Sequence, residues 1–322
     1  MKAKNYTAPM KAVNERIAAG ELVWLDAGNG TELQARGAAM HQHVWCGVAH
    51  VENPELMLKI HADNIRAGAH IITTNTFSSN RNMMGPAGLG DQVIETIISG
   101  VELAQQARAS VPGAENVAIA GSMSHQVPVK PGTSGRNPDS VPEVEKATGN
   151  FHEMAGLLAD AGADFIILEM MSDTNFIQPA ITAAAQTGLP VWMGMCCKRN
   201  DDGELVNYVY PELSFDQTCQ QVINSDVEVV GIMHTNIDFI SDAIATIRKY
   251  WKGPIMAYPD SGHFVMPDWQ FEEAITPAKY AEHVQQWANE GVNVLGACCG
   301  MGVEHLQACT SSVHKRTDQQ PG

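Results

Sequence analysis

Two adjacent cysteines, Cys298 and Cys299, close the apolar run NVLGACCG at 293–300. The run reads as a buried strand. Thiolates are soft ligands that favour zinc, and zinc keeps an open position where three protein ligands serve catalysis. Neighbouring side chains on a strand point to opposite faces, so both sulfurs reach one ion only if the chain leaves strand geometry, which Gly300 permits. The competing reading is a pair of free cysteines packed as small hydrophobes. Other reactive side chains fall at similar places: Asp26, Asn75, Glu169, Cys196, His234 and Asp260 each lie at or just past the end of an apolar run.

Those runs are the elements that must position the chemistry. They fall at 22–26, 70–75, 116–121, 164–169, 190–196, 227–234, 254–258 and 292–298, and between them lie segments such as 54–68 and 277–291, with apolar residues three or four apart and a glycine at the end. Strand and helix alternating eight times predict a (β/α)8 TIM barrel in a single domain, with a doubly wound open sheet as the fallback. Barrels of this kind carry their active sites where the strands end, so the residues above should share one face. The Pro- and Gly-rich stretch 125–138 follows the third strand and is expected on that face as a lid. The barrel is expected to occupy 1–310 and a polar tail 311–322.

Composition narrows the function. Thirty-six acidic residues against twenty basic ones give a net charge of −16, which repels phosphate backbones and predicts no nucleic-acid partner. The first ten residues hold no apolar run long enough for a signal peptide, and no stretch approaches a membrane span; a cytoplasmic protein without a membrane partner is expected. Seven cysteines, an odd number, do not resemble a disulfide framework and point to metal or packing. Homo-oligomerisation stays open.

Five motifs, in order, resemble one family: DAGNGT at 26–31 with Arg36 and Gly37, TNTF at 74–77, ADFIILE at 163–169, YPDSG at 258–262 and GACCG at 296–300. They are similar to the zinc-dependent homocysteine S-methyltransferases, which use betaine or S-methylmethionine, and the likeness runs over about 20–308. The resemblance implies Cys298 and Cys299 as paired zinc thiolates, and Asp26, Gly28 and Glu169 as the residues that hold the amino-acid end of homocysteine; Asn75 joins them as a substrate-binding residue. The family usually ends strand six in Gly-Val-Asn-Cys, whereas this chain has Gly231, Ile232, Met233 and His234. His234 therefore becomes the third expected ligand, with Cys196 or Cys197 as an alternative thiolate. Exchanging a thiolate for imidazole removes one negative charge and leaves the bound sulfur less nucleophilic. Ala297, Met301 and the segment GSMSH at 121–125 also depart from the family pattern.

The implied chemistry is thiol alkylation. A thiol with a pKa of about 8.5 is mostly protonated at neutral pH, and zinc deprotonates it. A methylated ammonium or sulfonium leaves neutral and needs no general acid, so the site has only to align donor and sulfur. Asp26 and Glu169 would bind the acceptor's α-ammonium. Trp45, on the loop after strand one, offers an indole face to a small onium donor. Rival readings are a zinc methyltransferase with another thiol acceptor, a zinc hydrolase, and a non-catalytic amino-acid-binding relative.

Overall fold

Eight parallel strands form the inner layer of a computed structural model that describes residues 4–130, 135–265 and 270–314. They are β1 (Val23–Trp24), β2 (Ile71–Thr73), β3 (Ala118–Ser124), β4 (Phe165–Met171), β5 (Val191–Met195), β6 (Val229–Asn236), β7 (Ile255–Asp260) and β8 (Val294–Leu295). Pairing runs β1-β8-β7-β6-β5-β4-β3-β2. A parallel bridge between Leu25 and Ile71, beside the His70 N–H that donates to the Trp24 carbonyl at 2.8 Å, brings the two ends together into a nearly closed barrel. The expected (β/α)8 fold is the one observed.

Alternation along each strand builds two cores. Ala118, Ala120, Phe165, Ile167, Trp192, Val229, Met233 and Met256 pack inside the barrel, while Ile119, Ile166, Leu168, Met193, Val230 and Ile255 face the helices. Both faces are buried, as helices on the outside of a parallel sheet require. Helix Ala8–Ala18 adds Met10 and Val13 to the inner cluster. Just before that helix, Lys4 pairs with Asp226 at 2.9 Å and Glu228 at 3.1 Å, immediately ahead of β6. This seals the end where the strands begin. The opposite mouth is left for the chemistry.

The outer helices begin and end as their sequences dictate. Pro54–Arg66 and Pro277–Asn289 both start on proline, whose missing N–H costs nothing in a first turn. Gly68 and Gly291, at φ of +102° and +88°, supply the left-handed residue that ends each one. The final helix, Val303–Ser312, crosses position 310, and Val313 behind it is buried; residues from 315 onward lie outside the described residues. In the 125–138 loop, Val129 pairs with Arg136 and the Lys130 N–H donates to the Gly135 carbonyl at 2.8 Å, while 131–134 also lie outside. Among the described residues no helix is long and apolar enough to cross a membrane.

Candidate active site

Two strands break register at the mouth of the barrel. β4 does so between Leu168 and Met171, and β6 between Met233 and Asn236. Met170 and His234, at φ of +57° and +46°, sit inside these irregularities in the left-handed region that side chains rarely adopt. Met233 packs inside the barrel, so strict alternation would send His234 outward to the helices. The bulge re-aims its imidazole into the mouth. Phe77 then stacks on it, with ring centroids 4.9 Å apart and an interplanar angle of 24°.

At the other side β8 ends at Leu295, and the cysteine pair lies on the turn beyond it, with Gly300 at φ +79°. Off the strand, the two sulfurs come to 3.7 Å of each other. His234 Nδ1 lies 3.5 Å from Cys298 Sγ. These two separations fit a tetrahedral ion: bond lengths of about 2.3 Å to sulfur and about 2.0 Å to nitrogen put ligand atoms roughly 3.7 Å and roughly 3.5 Å apart. Asp260 Oδ1, 4.0 Å from His234 Nδ1, completes a group of four whose ligand atoms all lie within 4.8 Å of one another. Cys196 and Cys197 take no part in this group. Cys196 lies beside the Met170 carbonyl and Cys197 packs in the outer core, and burial raises both thiols, Cys197 to about 12.

Glu169 ends its inward row after Phe165 and Ile167, and its Oε2 meets His234 Nε2 at 2.9 Å. The histidine thus faces the thiols with Nδ1 and the carboxylate with Nε2. That is the arrangement in which a carboxylate fixes the tautomer of a metal-binding imidazole. Burial alone would lower the His234 pKa, but hydrogen bonds to Cys299 and Glu169 carry it well above the ordinary value. Cys299 is lowered by its hydrogen bond from Cys298 and by His234, while burial raises Cys298.

Two chambers meet at this group. The smaller, of about 40 Å³, is lined by Gly28, Asn29, Thr73, Asn75, Glu169, Tyr258 and Cys298 among others. The larger, of about 220 Å³, is lined by Met83, His125, Val127, Arg136, Met170, Tyr208 and Asp260 among others. Trp45, Phe77, His234 and Cys299 belong to both. Gly30 makes room for the indole, since a Cβ there would stand 2.4 Å from Trp45 Cζ2.

Gly28 serves by being small: a Cβ there would come within 2.5 Å of the Cys298 carbonyl oxygen. Asn75 donates to the Cys46 carbonyl at 2.8 Å, lies 3.0 Å from His50 Nδ1, and accepts from Cys46 Sγ at 3.4 Å, so its amide holds the loop after β2 to the loop after β1. Asp26 is fully buried and does not line either chamber. It accepts from the Thr73 N–H at 2.7 Å, the Thr73 hydroxyl at 2.9 Å and the Tyr258 hydroxyl at 3.4 Å. Burial, with the Glu169 charge nearby, pushes its pKa up to about 7 in spite of these bonds. Asn29, absent from the expectations, donates from Nδ2 to the Thr73 carbonyl at 2.7 Å, and its buried Oδ1 has no hydrogen-bond partner among the described residues. Its only sequence signal was its place inside the DAGNGT motif.

The homocysteine S-methyltransferase family profile matches residues 23–313. A homocysteine S-methyltransferase of Zea mays is 26% identical, over 94% of this chain and 93% of its own length. One from Escherichia coli K12 is 26% identical over 90% and 94%, and a selenocysteine methyltransferase of Astragalus bisulcatus is 25% identical over 87% and 89%. The metallated form of the E. coli homocysteine methyltransferase superposes with a TM-score of 0.74 at 22% identity, covering 94% of this chain and 99% of that one; it supports the fold.

Proposed function

From the premise that this chain belongs to the homocysteine S-methyltransferase family, we propose that it moves a methyl group from a small onium donor to the thiol of homocysteine, giving methionine, with zinc at His234, Cys298 and Cys299. The observation that carries this reading is the position of the thiol and imidazole group, in the wall shared by two chambers, one for each substrate. A zinc ion held there would bind the acceptor sulfur as thiolate and so keep it nucleophilic at neutral pH.

The chain's own residues do the rest. Glu169 commits one oxygen to His234 and offers the other to the α-ammonium, where the unpartnered Asn29 Oδ1 is a second acceptor. Asp26 supports them from behind, bracing Thr73 and Tyr258 by hydrogen bonds rather than by direct contact with the acceptor. Asp260, the one carboxylate inside the ligand group, takes up the proton that the thiol loses. Trp45 and Phe77 exclude water and offer aromatic faces to a cationic methyl group. Sulfur attacks the methyl carbon as the bond from carbon to the donor's nitrogen or sulfur breaks, and the electron pair departs with a neutral amine or thioether. A cytoplasmic setting suits seven free, buried cysteines.

The test is product analysis by mass spectrometry, offering zinc-loaded protein homocysteine and a panel of betaines and methylsulfonium compounds. Methionine and the demethylated donor should appear in equal amounts. Folded, metallated protein that methylates homocysteine from no member of the panel would overturn the reading.

A further inference from the structure

Asp260, the last residue of β7, is stitched to the cysteine turn on three sides. The Cys298 N–H donates to the Pro259 carbonyl at 2.9 Å, the Ser261 N–H to the Cys299 carbonyl at 3.0 Å, and the Cys299 N–H to Asp260 Oδ1 at 3.2 Å. On the other side, β6 pairs with Asp260 through Asn236, beyond the bulge that turns His234 inward. The carboxylate is thus held between the imidazole and the thiols, with its side chain 26% exposed at the wall of the larger chamber. Among the described residues no lysine or arginine pairs with it. A carboxylate set beside two thiols without a cation is costly, and a metal ion would supply the missing charge.

Charge gives the position its meaning. Two thiolates and a neutral imidazole leave a divalent ion formally neutral, whereas a thiolate in place of His234 would leave one negative charge. A carboxylate in the fourth position gives that charge back. Bonds of about 2.0 Å to nitrogen and about 2.0–2.2 Å to carboxylate oxygen set these two ligand atoms roughly 3.3 Å apart around a tetrahedral ion. Asp260 Oδ1 and His234 Nδ1 stand 4.0 Å apart, a gap that a turn of the carboxylate about its last bond closes.

We propose that Asp260 is the fourth protein ligand of the resting metal site, supplying the negative charge that His234 does not, and that it gives up this position to the acceptor thiol. This rests on the placement of zinc at His234, Cys298 and Cys299. As the acceptor arrives, Asp260 releases the metal and takes the thiol proton: the S–H and metal–oxygen bonds break, the O–H and metal–sulfur bonds form, and the total charge is unchanged.

Zinc dissociation constants, read without substrate by competition with a chromophoric chelator, test the ligand. D260N keeps an oxygen for the Cys299 N–H, so a carboxylate that only braces this amide predicts unchanged affinity, whereas a ligand predicts affinity weaker by roughly tenfold or more. In the H234C background, where a third thiolate supplies the charge, D260N should cost no more than about threefold, since changes that share one role are not additive. Cobalt-loaded wild type needs no variant. A filled fourth position should leave its absorption bands unmoved by azide, which an open one would bind, while homocysteine should shift them.

Unchanged zinc affinity in D260N overturns the proposal, as do an equal loss in the two backgrounds, bands of the wild type that move with azide, or bands that homocysteine leaves in place. Weaker zinc binding by D260N in a protein that methylates no homocysteine supports the ligand and sinks the methyl-transfer reading instead.

Discussion

Glu169 Oε2 lies 2.9 Å from His234 Nε2, which ties the residue expected to hold the substrate to a residue expected to hold the metal. A variant at either position therefore disturbs both metal and acceptor, and the size of each effect separates the two roles.

Replacing His234 by alanine or Cys298 by serine should lower zinc content from one ion per chain to well below half after dialysis against a mild chelator. Metal analysis by mass spectrometry reads this directly. Full occupancy in both variants would remove His234 and Cys298 from the ligand set.

Glu169→Gln keeps an acceptor for the imidazole but loses the charge. Losing a charged hydrogen bond of about 1.5–3 kcal/mol should weaken homocysteine binding by roughly tenfold or more. Zinc affinity should fall too, by about ten- to hundredfold, as for other carboxylates behind metal-binding histidines. Homocysteine affinity equal to wild type in a folded, zinc-loaded variant would leave Glu169 with the orienting role alone.

Trp45→Leu keeps apolar bulk but removes the ring face. Cation–π attraction to a desolvated onium is worth about 2 kcal/mol, so the donor's dissociation constant should rise by more than tenfold, while zinc content and binding of the neutral demethylated product hold. Equal losses for donor and product would make Trp45 packing. Gly30→Ala, which presses a methyl group on the indole, should reproduce the weaker donor binding.

Asp26 has its pKa raised from 3.8 to about 7 by burial, so the folded state holds this proton more tightly than the unfolded state does. Its contribution to stability is complete below about pH 4 and is lost as pH rises toward 7. Asp26→Asn has no such proton to lose. Urea midpoints measured from pH 4 to 7 should therefore fall relative to the variant as pH increases. The buried histidines His61, His70 and His125, whose pKa values are lowered by burial, push the other way in both proteins and cancel in the difference. Parallel profiles would show that Asp26 is ionised throughout.

The barrel was legible because each strand is an apolar run with a polar residue at its end, and that pattern depends on local sequence alone. The cysteine pair and His234 were legible by residue type and by place. The bond between Glu169 and His234 was not, because it depends on a bulge at Met233–Asn236 that turns the imidazole against the two-residue period. Asp26 and Asn75 looked free for substrate, yet Thr73 and Cys46, far along the chain, occupy their polar atoms. Arg136 sits in a loop with no periodicity to mark it, and its ion pair with the buried Asp173 joins residues far apart in the chain.

The wall shared by the two chambers has a kinetic consequence. Phe77, His234 and Cys299 face both cavities, so donor and acceptor can be resident together on either side of it, and the methyl group crosses in one displacement without first resting on the protein. Initial-rate plots for the two substrates should then intersect rather than run parallel, and a chiral methyl group should arrive with its configuration inverted.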